Sequence, residues 1–251
     1  MTDPVVLIAP AMAIGSRFYT PVVRAFDAHG WTARALPRRG FEDGDAPASR
    51  RNNWSYEDEI DVIAGAVAEA RAEQPERPVL VLGHSLGAQL AAGHQLTRAP
   101  ADGVVSVAGC LPHHMHYPAF GPHIVVMGLL MVPTMTTALG YVPPPLFGAP
   151  GARTLMRQWA RMALTGRPPF PARTPITTPS LLVTLEGDTY APERAVDAFA
   201  RRLFAPTAVT RWTYRIADVP DGASNDHIRW ARDPQRVVDR VVSWWGEQQT
   251  S

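Results

Sequence analysis

Four apolar residues, Val79-Leu80-Val81-Leu82, run without a break into Gly83-His84-Ser85-Leu86-Gly87, and a helical pattern follows through Gln95. No other stretch of the chain limits its fold as much. A Gly-x-Ser-x-Gly string alone is weak, since chance supplies about 0.1 of them in a chain this long. Its context carries the weight: a buried strand ends at the first glycine and a helix starts just past the serine, which makes a sharp strand-turn-helix corner. Such a corner forces the serine into a strained backbone conformation, tolerated because its neighbours at −2 and +2 have no side chains to collide. It leaves the hydroxyl exposed at a helix N-terminus, where free N–H groups and the helix dipole favour a developing oxyanion. Ser85 is therefore the candidate nucleophile, with the Leu86 amide as a candidate oxyanion donor.

The rest of the chain fits around that corner. Val5–Ala9 reads as a strand buried on both faces, followed by a helical spacing (Phe18, Val22, Val23, Phe26) that stops at Gly30. Trp31–Leu36 is a second strand, and Ser55 with Asp58 caps a helix running to about Glu73. Gly103–Ala108 is a fourth strand. Alternating strands and helices predict an α/β fold, a mostly parallel sheet with helices on both faces. The alternation breaks over 111–179, where proline clusters and a methionine-rich apolar stretch appear. One amphipathic helix is clear there: Leu155, Met156, Trp159, Met162 and Ala163 share a face opposite Arg153, Arg157 and Arg161. Strand (180–185), helix (192–203), strand (209–216) and helix (234–245) then resume. The expected organisation is one core of 1–110 and 179–251 with an inserted helical cap at 111–178.

A serine hydroxyl needs a base, and the base needs an acid to set its tautomer. At a corner of this kind the chain order is serine, acid, histidine. Ser180–Leu185 leads directly into Glu186-Gly187-Asp188, and Asp188 stands past the strand end on a glycine-loosened loop. Asp188 is the expected acid, with Glu186 the weaker candidate and Asp218, Asp221 and Asp226 read as solvated turn residues. His227 is the one histidine downstream of Asp188 and is the expected base. The second oxyanion amide should come from the loop after the first strand, where Met12 is the candidate. His84 is expected to pack beneath the corner. The His113-His114-x-His116 cluster has the wrong spacing for one helix face, so no metal is assigned and no cofactor is called for. Cys110 and the apolar Met127 and Met131 are candidates for the substrate-binding wall.

Composition narrows the partners. The single cysteine rules out an internal disulfide, and near-neutral charge (24 basic residues, 23 acidic) argues against nucleic acid. All 24 basic residues are arginine, which removes lysine Schiff-base chemistry. The Met-Thr-Asp-Pro start carries no basic n-region, so the expected location is cytoplasmic. Ile124–Val142 is strongly apolar but holds Gly128, Pro133 and Gly140, and is expected to be a buried lid over an apolar pocket rather than an integral membrane span.

With these residues placed, the chain resembles the α/β-hydrolase superfamily over nearly its whole length, and within it a group of bacterial serine α/β-hydrolases with a cap insertion. The resemblance is carried by Ile8-Ala9-Pro10-Ala11-Met12 through Arg17-Phe18-Tyr19, Arg39-Gly40, the Gly-His-Ser-x-Gly corner and Trp159-Ala160-Arg161. It implies Ser85, Asp188 and His227 as a triad, and Met12 and Leu86 as oxyanion amides. Relatives often carry glycine where this chain has Ala88 and Ile228, a departure that bears on the shape of the substrate pocket. The leading expectation is a serine hydrolase of small hydrophobic carboxylic esters or thioesters. Two others stand beside it: a thioesterase or acyltransferase serving a carrier protein met by Arg153, Arg157 and Arg161, and a non-hydrolytic ligand-binding homologue. The sequence is silent on oligomeric state.

Overall fold

The computed structural model describes residues 3–144 and 148–250. The main sheet is built from β1 (Val5–Ala9), β2 (Thr32–Ala35), β3 (Val79–His84), β4 (Gly103–Val107), β7 (Ser180–Leu185) and β8 (Val209–Tyr214). Two further strands among the described residues, β5 (Tyr141–Val142) and β6 (Gly151–Ala152), form a separate antiparallel pair. In the main sheet the order is β2-β1-β3-β4-β7-β8, and each neighbouring pair is parallel. The helices are α1 (Thr20–Ala28), α2 (Tyr56–Glu73), α3 (Leu86–Thr97), α4 (Gly121–Ala138), α5 (Arg153–Thr165), α6 (Glu193–Leu203) and α7 (Gln235–Gln249).

Alternation along each strand decides which layer it feeds, because successive side chains point to opposite faces. Val5, Leu7 and Ala9 of β1 join Val79 and Val81 of β3 in a cluster covered by α2, α3 and α5. Val6 and Ile8 join Leu80, Leu82, Val105 and Val183 on the other face, under α1 and α7. Burying each such side chain contributes about 1.5–3 kcal/mol, so the uninterrupted apolar runs of β1 and β3 are what a sheet covered on both faces requires. α2 begins as expected: the Ser55 hydroxyl accepts from the Asp58 amide and the Asp58 carboxylate accepts from the Ser55 amide. The strand order reverses direction between β1 and β3, and at such a switch point loops at the carboxyl ends of adjacent strands diverge and leave a crevice.

Between β4 and β7 the structure corrects one expectation. The apolar stretch is a helix, α4, of which only 28% is buried, and Val126, Leu129 and Leu130 are exposed. It is long and apolar enough to cross a membrane by length and composition alone. Its glycine and proline do not break it. A π turn at Met127–Met131 precedes Pro133, and the wider turn absorbs the hydrogen bond and ring clash a proline imposes inside a helix. Gly128 lets α5 approach closely, for a Cβ there would stand 2.9 Å from Leu164 Cγ. α5 buries the predicted face, including Leu155, Met156, Met162 and Ala163. Residues 145–147 of the expected insertion lie outside the described residues.

Candidate active site

Ser85 follows β3 directly with φ 54° and ψ −112°, a conformation that costs a residue with a side chain about 1–3 kcal/mol. The flanking glycines are there for space. A Cβ on Gly83 would lie 2.5 Å from Ala88 Cα, and one on Gly87 would lie 2.0 Å from the Ala9 carbonyl oxygen. The Ser85 amide donates to the Val107 carbonyl at 2.9 Å, which pins the corner to β4. Ala88, the departure from glycine, is fully buried, and its methyl faces Gly109, where an added Cβ would come within 2.6 Å. Its extra carbon is absorbed under the corner by a glycine in the neighbouring loop.

His227 Nε2 stands 3.0 Å from Ser85 Oγ, and His227 Nδ1 stands 2.6 Å from Asp188 Oδ2. The other carboxylate oxygen of Asp188 accepts from the Tyr190 and Ala191 amides at 2.8 and 3.0 Å. A carboxylate only accepts, so Nδ1 carries the ring proton and Nε2 is left bare toward the hydroxyl. The side chains of Asp188 and His227 are 1% and 8% exposed, where little water competes for these bonds. Three residues far apart in the chain thus form one hydrogen-bonded line. Glu186 is elsewhere, accepting from the Ile216 amide at 2.6 Å, and Asp226 accepts from the Ile228 and Arg229 amides.

On the loop after β1, the Ala11 amide donates to Tyr19 Oη at 2.9 Å, which leaves Met12 as the next amide along. Met12 and Leu86 border one cavity of about 340 Å³, part of it open to solvent, whose other walls include Phe41, Trp54, Leu155 and Met156. Buried Arg38, which also borders this cavity, anchors the loop: it donates to the Pro10 carbonyl and pairs with buried Glu59 at 2.9 Å. Sequence reasoning missed this pair, although Glu59 is an acid on the apolar face of α2 beside Tyr56, Ile60 and Ile63, and that is a readable signal.

Cys110, Met127 and Met131 are not among the residues bordering this cavity, and neither are Ser85 and His227. Burial pushes the Cys110 thiol up to about 12, and Cys110 lies beside Tyr117, whose hydroxyl donates to the Tyr190 carbonyl at 2.8 Å. Tyr117 therefore braces the loop that carries Asp188. Met127 packs against the α1–α7 face cluster, and Met131 is half-buried on α4. The His113 ring meets that of His114 at a tilt of 53° and that of His116 edge-on at 72°. Arg157 is engaged by the hydroxyls of Thr136 and Thr137.

The family described as "Serine aminopeptidase, S33" matches residues 2–157 of the chain. Among solved structures, the monoacylglycerol lipase of Paleococcus ferrophilus is similar at 17% identity, covering 97% of each chain with a TM-score of 0.62. An esterase of Exiguobacterium antarcticum is 14% identical, covering 97% of this chain and 92% of its own, with a TM-score of 0.62. The type II thioesterase BorB from the borrelidin biosynthetic cluster is 17% identical over 97% of this chain and 91% of its own, with a TM-score of 0.56. At these identities the likeness is one of fold. No curated protein matches the chain in sequence.

Proposed function

We propose, for a chain that belongs to the serine aminopeptidase S33 family of α/β hydrolases, that it is a serine hydrolase of carboxylic esters or thioesters carrying a small hydrophobic acyl or aromatic group. In this reading His227 Nε2 takes the Ser85 proton as Oγ attacks the carbonyl carbon. The Leu86 and Met12 amides hold the oxyanion of the tetrahedral intermediate. Collapse breaks the ester bond, and the imidazolium returns its proton to the departing alcohol or thiol. Water, deprotonated by the same ring, then releases the acid from the acyl-enzyme. Asp188 keeps the ring oriented and balances its transient charge. The observation that carries the reading is the Ser85–His227–Asp188 line, with contacts of 3.0 and 2.6 Å.

Residues 111–178 act as a cap on the core of 1–110 and 179–251. Support comes from the cavity itself, which has Met12 and Leu86 on one side and Gly151, Leu155 and Met156 on the other. Its apolar walls favour an apolar group, at about 0.8 kcal/mol for each methylene buried. The first test is covalent labelling by a fluorophosphonate probe. The wild type labels and Ser85→Ala does not, and a panel of p-nitrophenyl esters is turned over only by the wild type. An accessible Ser85 that never labels would refute the reading.

A further inference from the structure

His84, next to the proposed nucleophile, is fully buried and reaches two loops at once. Its Nδ1 is 2.7 Å from Tyr19 Oη, and its Nε2 is 2.7 Å from the His227 backbone carbonyl oxygen. A carbonyl oxygen only accepts, so Nε2 carries the proton. Burial holds the ring neutral, its pKa lowered to about 3, and Nδ1 is then a bare acceptor. The Tyr19 hydroxyl must donate to it, while the same oxygen accepts the Ala11 amide at 2.9 Å. The opposite tautomer would set two lone pairs 2.7 Å apart at the His227 carbonyl. Trp230 Nε1 comes within 3.2 Å of the same Nε2, and its indole stands nearly perpendicular to the imidazole at 84°. A nitrogen already protonated cannot accept from it, so Trp230 packs edge-on against the ring without bonding to it. Tyr19, His84 and Trp230 are all 0% exposed, so water does not substitute for any partner.

The chain Ala11 N–H, Tyr19 O–H, His84 Nδ1, His84 Nε2–H, His227 C=O therefore joins the loop after β1, the residue before Ser85 and the loop holding the imidazole. We infer that His84, supported by Tyr19, is a positioning residue that sets the distance between the His227 ring and Ser85. This rests on the hydrolase reading above. The base loop hangs from the residue adjoining the nucleophile, so an error in one position is shared by the other and their separation is conserved. Tyr19 extends the same reference to the oxyanion loop through Ala11.

The test compares His84→Asn with His84→Gln. Glutamine places an amide N–H where Nε2–H was, whereas asparagine is too short to reach the His227 carbonyl. If the role is positional, His84→Asn lowers kcat by about 10²-fold, the usual cost of a misplaced group, while KM stays within about twofold. His84→Gln restores most of the loss. In the wild type, ¹⁵N spectra of the imidazoles show His84 as the neutral Nε2–H form across pH 5–8. Equal losses in both variants that follow a shared fall in Tm would make His84 a packing residue and overturn the inference. So would an Nδ1–H tautomer. A wild type that labels at Ser85 while His84→Asn keeps its full kcat overturns the positioning role alone. A wild type that never labels overturns the hydrolase reading and this role with it.

Discussion

Asp188 shows how much one residue depends on its immediate partners. One of its oxygens is held by the Tyr190 and Ala191 amides, so the other is presented to His227 in one direction. Replacing it with asparagine keeps the shape but offers an N–H where an acceptor is needed, which favours the wrong tautomer of His227. Asp188→Asn is expected to lower kcat by about 10⁴-fold with the fold intact, measured on a p-nitrophenyl ester beside a thermal melt. A loss below tenfold would remove Asp188 from the mechanism. Ser85, Asp188 and His227 were legible because order and loop position restrict the choice, and His227 had no competitor after Asp188. Tyr19 and Tyr117 were not legible as partners of the site. Each acts through a hydrogen bond to a side chain or backbone carbonyl far away in the sequence, and such a bond leaves no local pattern.

Among the elements, α2 and α4 mark the two ends of legibility. The Ser55–Asp58 capping box is a local device, so four adjacent residues suffice to see it. Hydrogen bonds from Ser55 hold the Asp58 carboxyl below its ordinary value. A lowered carboxylate stabilises the fold above its unfolded value and loses that contribution as pH falls through the folded one. Ser55→Ala should therefore cost about 1 kcal/mol at neutral pH, and the difference should shrink below about pH 4. Urea unfolding of both proteins at pH 7 and at pH 3.5 checks this, and an unchanged gap at the lower pH would contradict it. For α4, composition suggests a buried lid, yet only a stripe at Gly121, Ile124, Gly128, Val132 and Thr136 is buried. Which face of a helix with so few polar residues is covered depends on where α5 lies, and a largely apolar surface has little moment to announce it.

At the level of the whole molecule, two buried histidines link stability to pH. Burial lowers His84 to about 3 and His94 to about 4. Both stay neutral in the folded protein while the unfolded chain takes up protons below about 6.5. Stability is thus fully present above that value and declines as pH falls toward the folded values, by up to about 1.4 kcal/mol per pH unit for each histidine. Urea unfolding between pH 7 and pH 5 should show this decline. His94→Gln, on α3 away from Ser85, should reduce its slope, and an unaltered slope would exclude His94 as a contributor. The six-stranded architecture itself was readable because β1, β3 and β4 are runs apolar on both faces, a pattern that only a sheet covered by helices on each side can bury.

From the sequence alone came the parallel sheet, the strained serine directly after β3 and the identity of the acid and base candidates. These follow from periodicity, glycine spacing and chain order, all of them local or ordinal properties. Tertiary structure decided the rest: the 3.0 Å approach of His227 to Ser85, the cavity walls drawn from Phe41, Trp54 and Met156, the exposed face of α4, and the hydrogen-bonded chain through His84. Each of those depends on which surfaces meet when separate segments of the chain pack together, and packing is a property of shapes in contact that no single stretch of chain encodes.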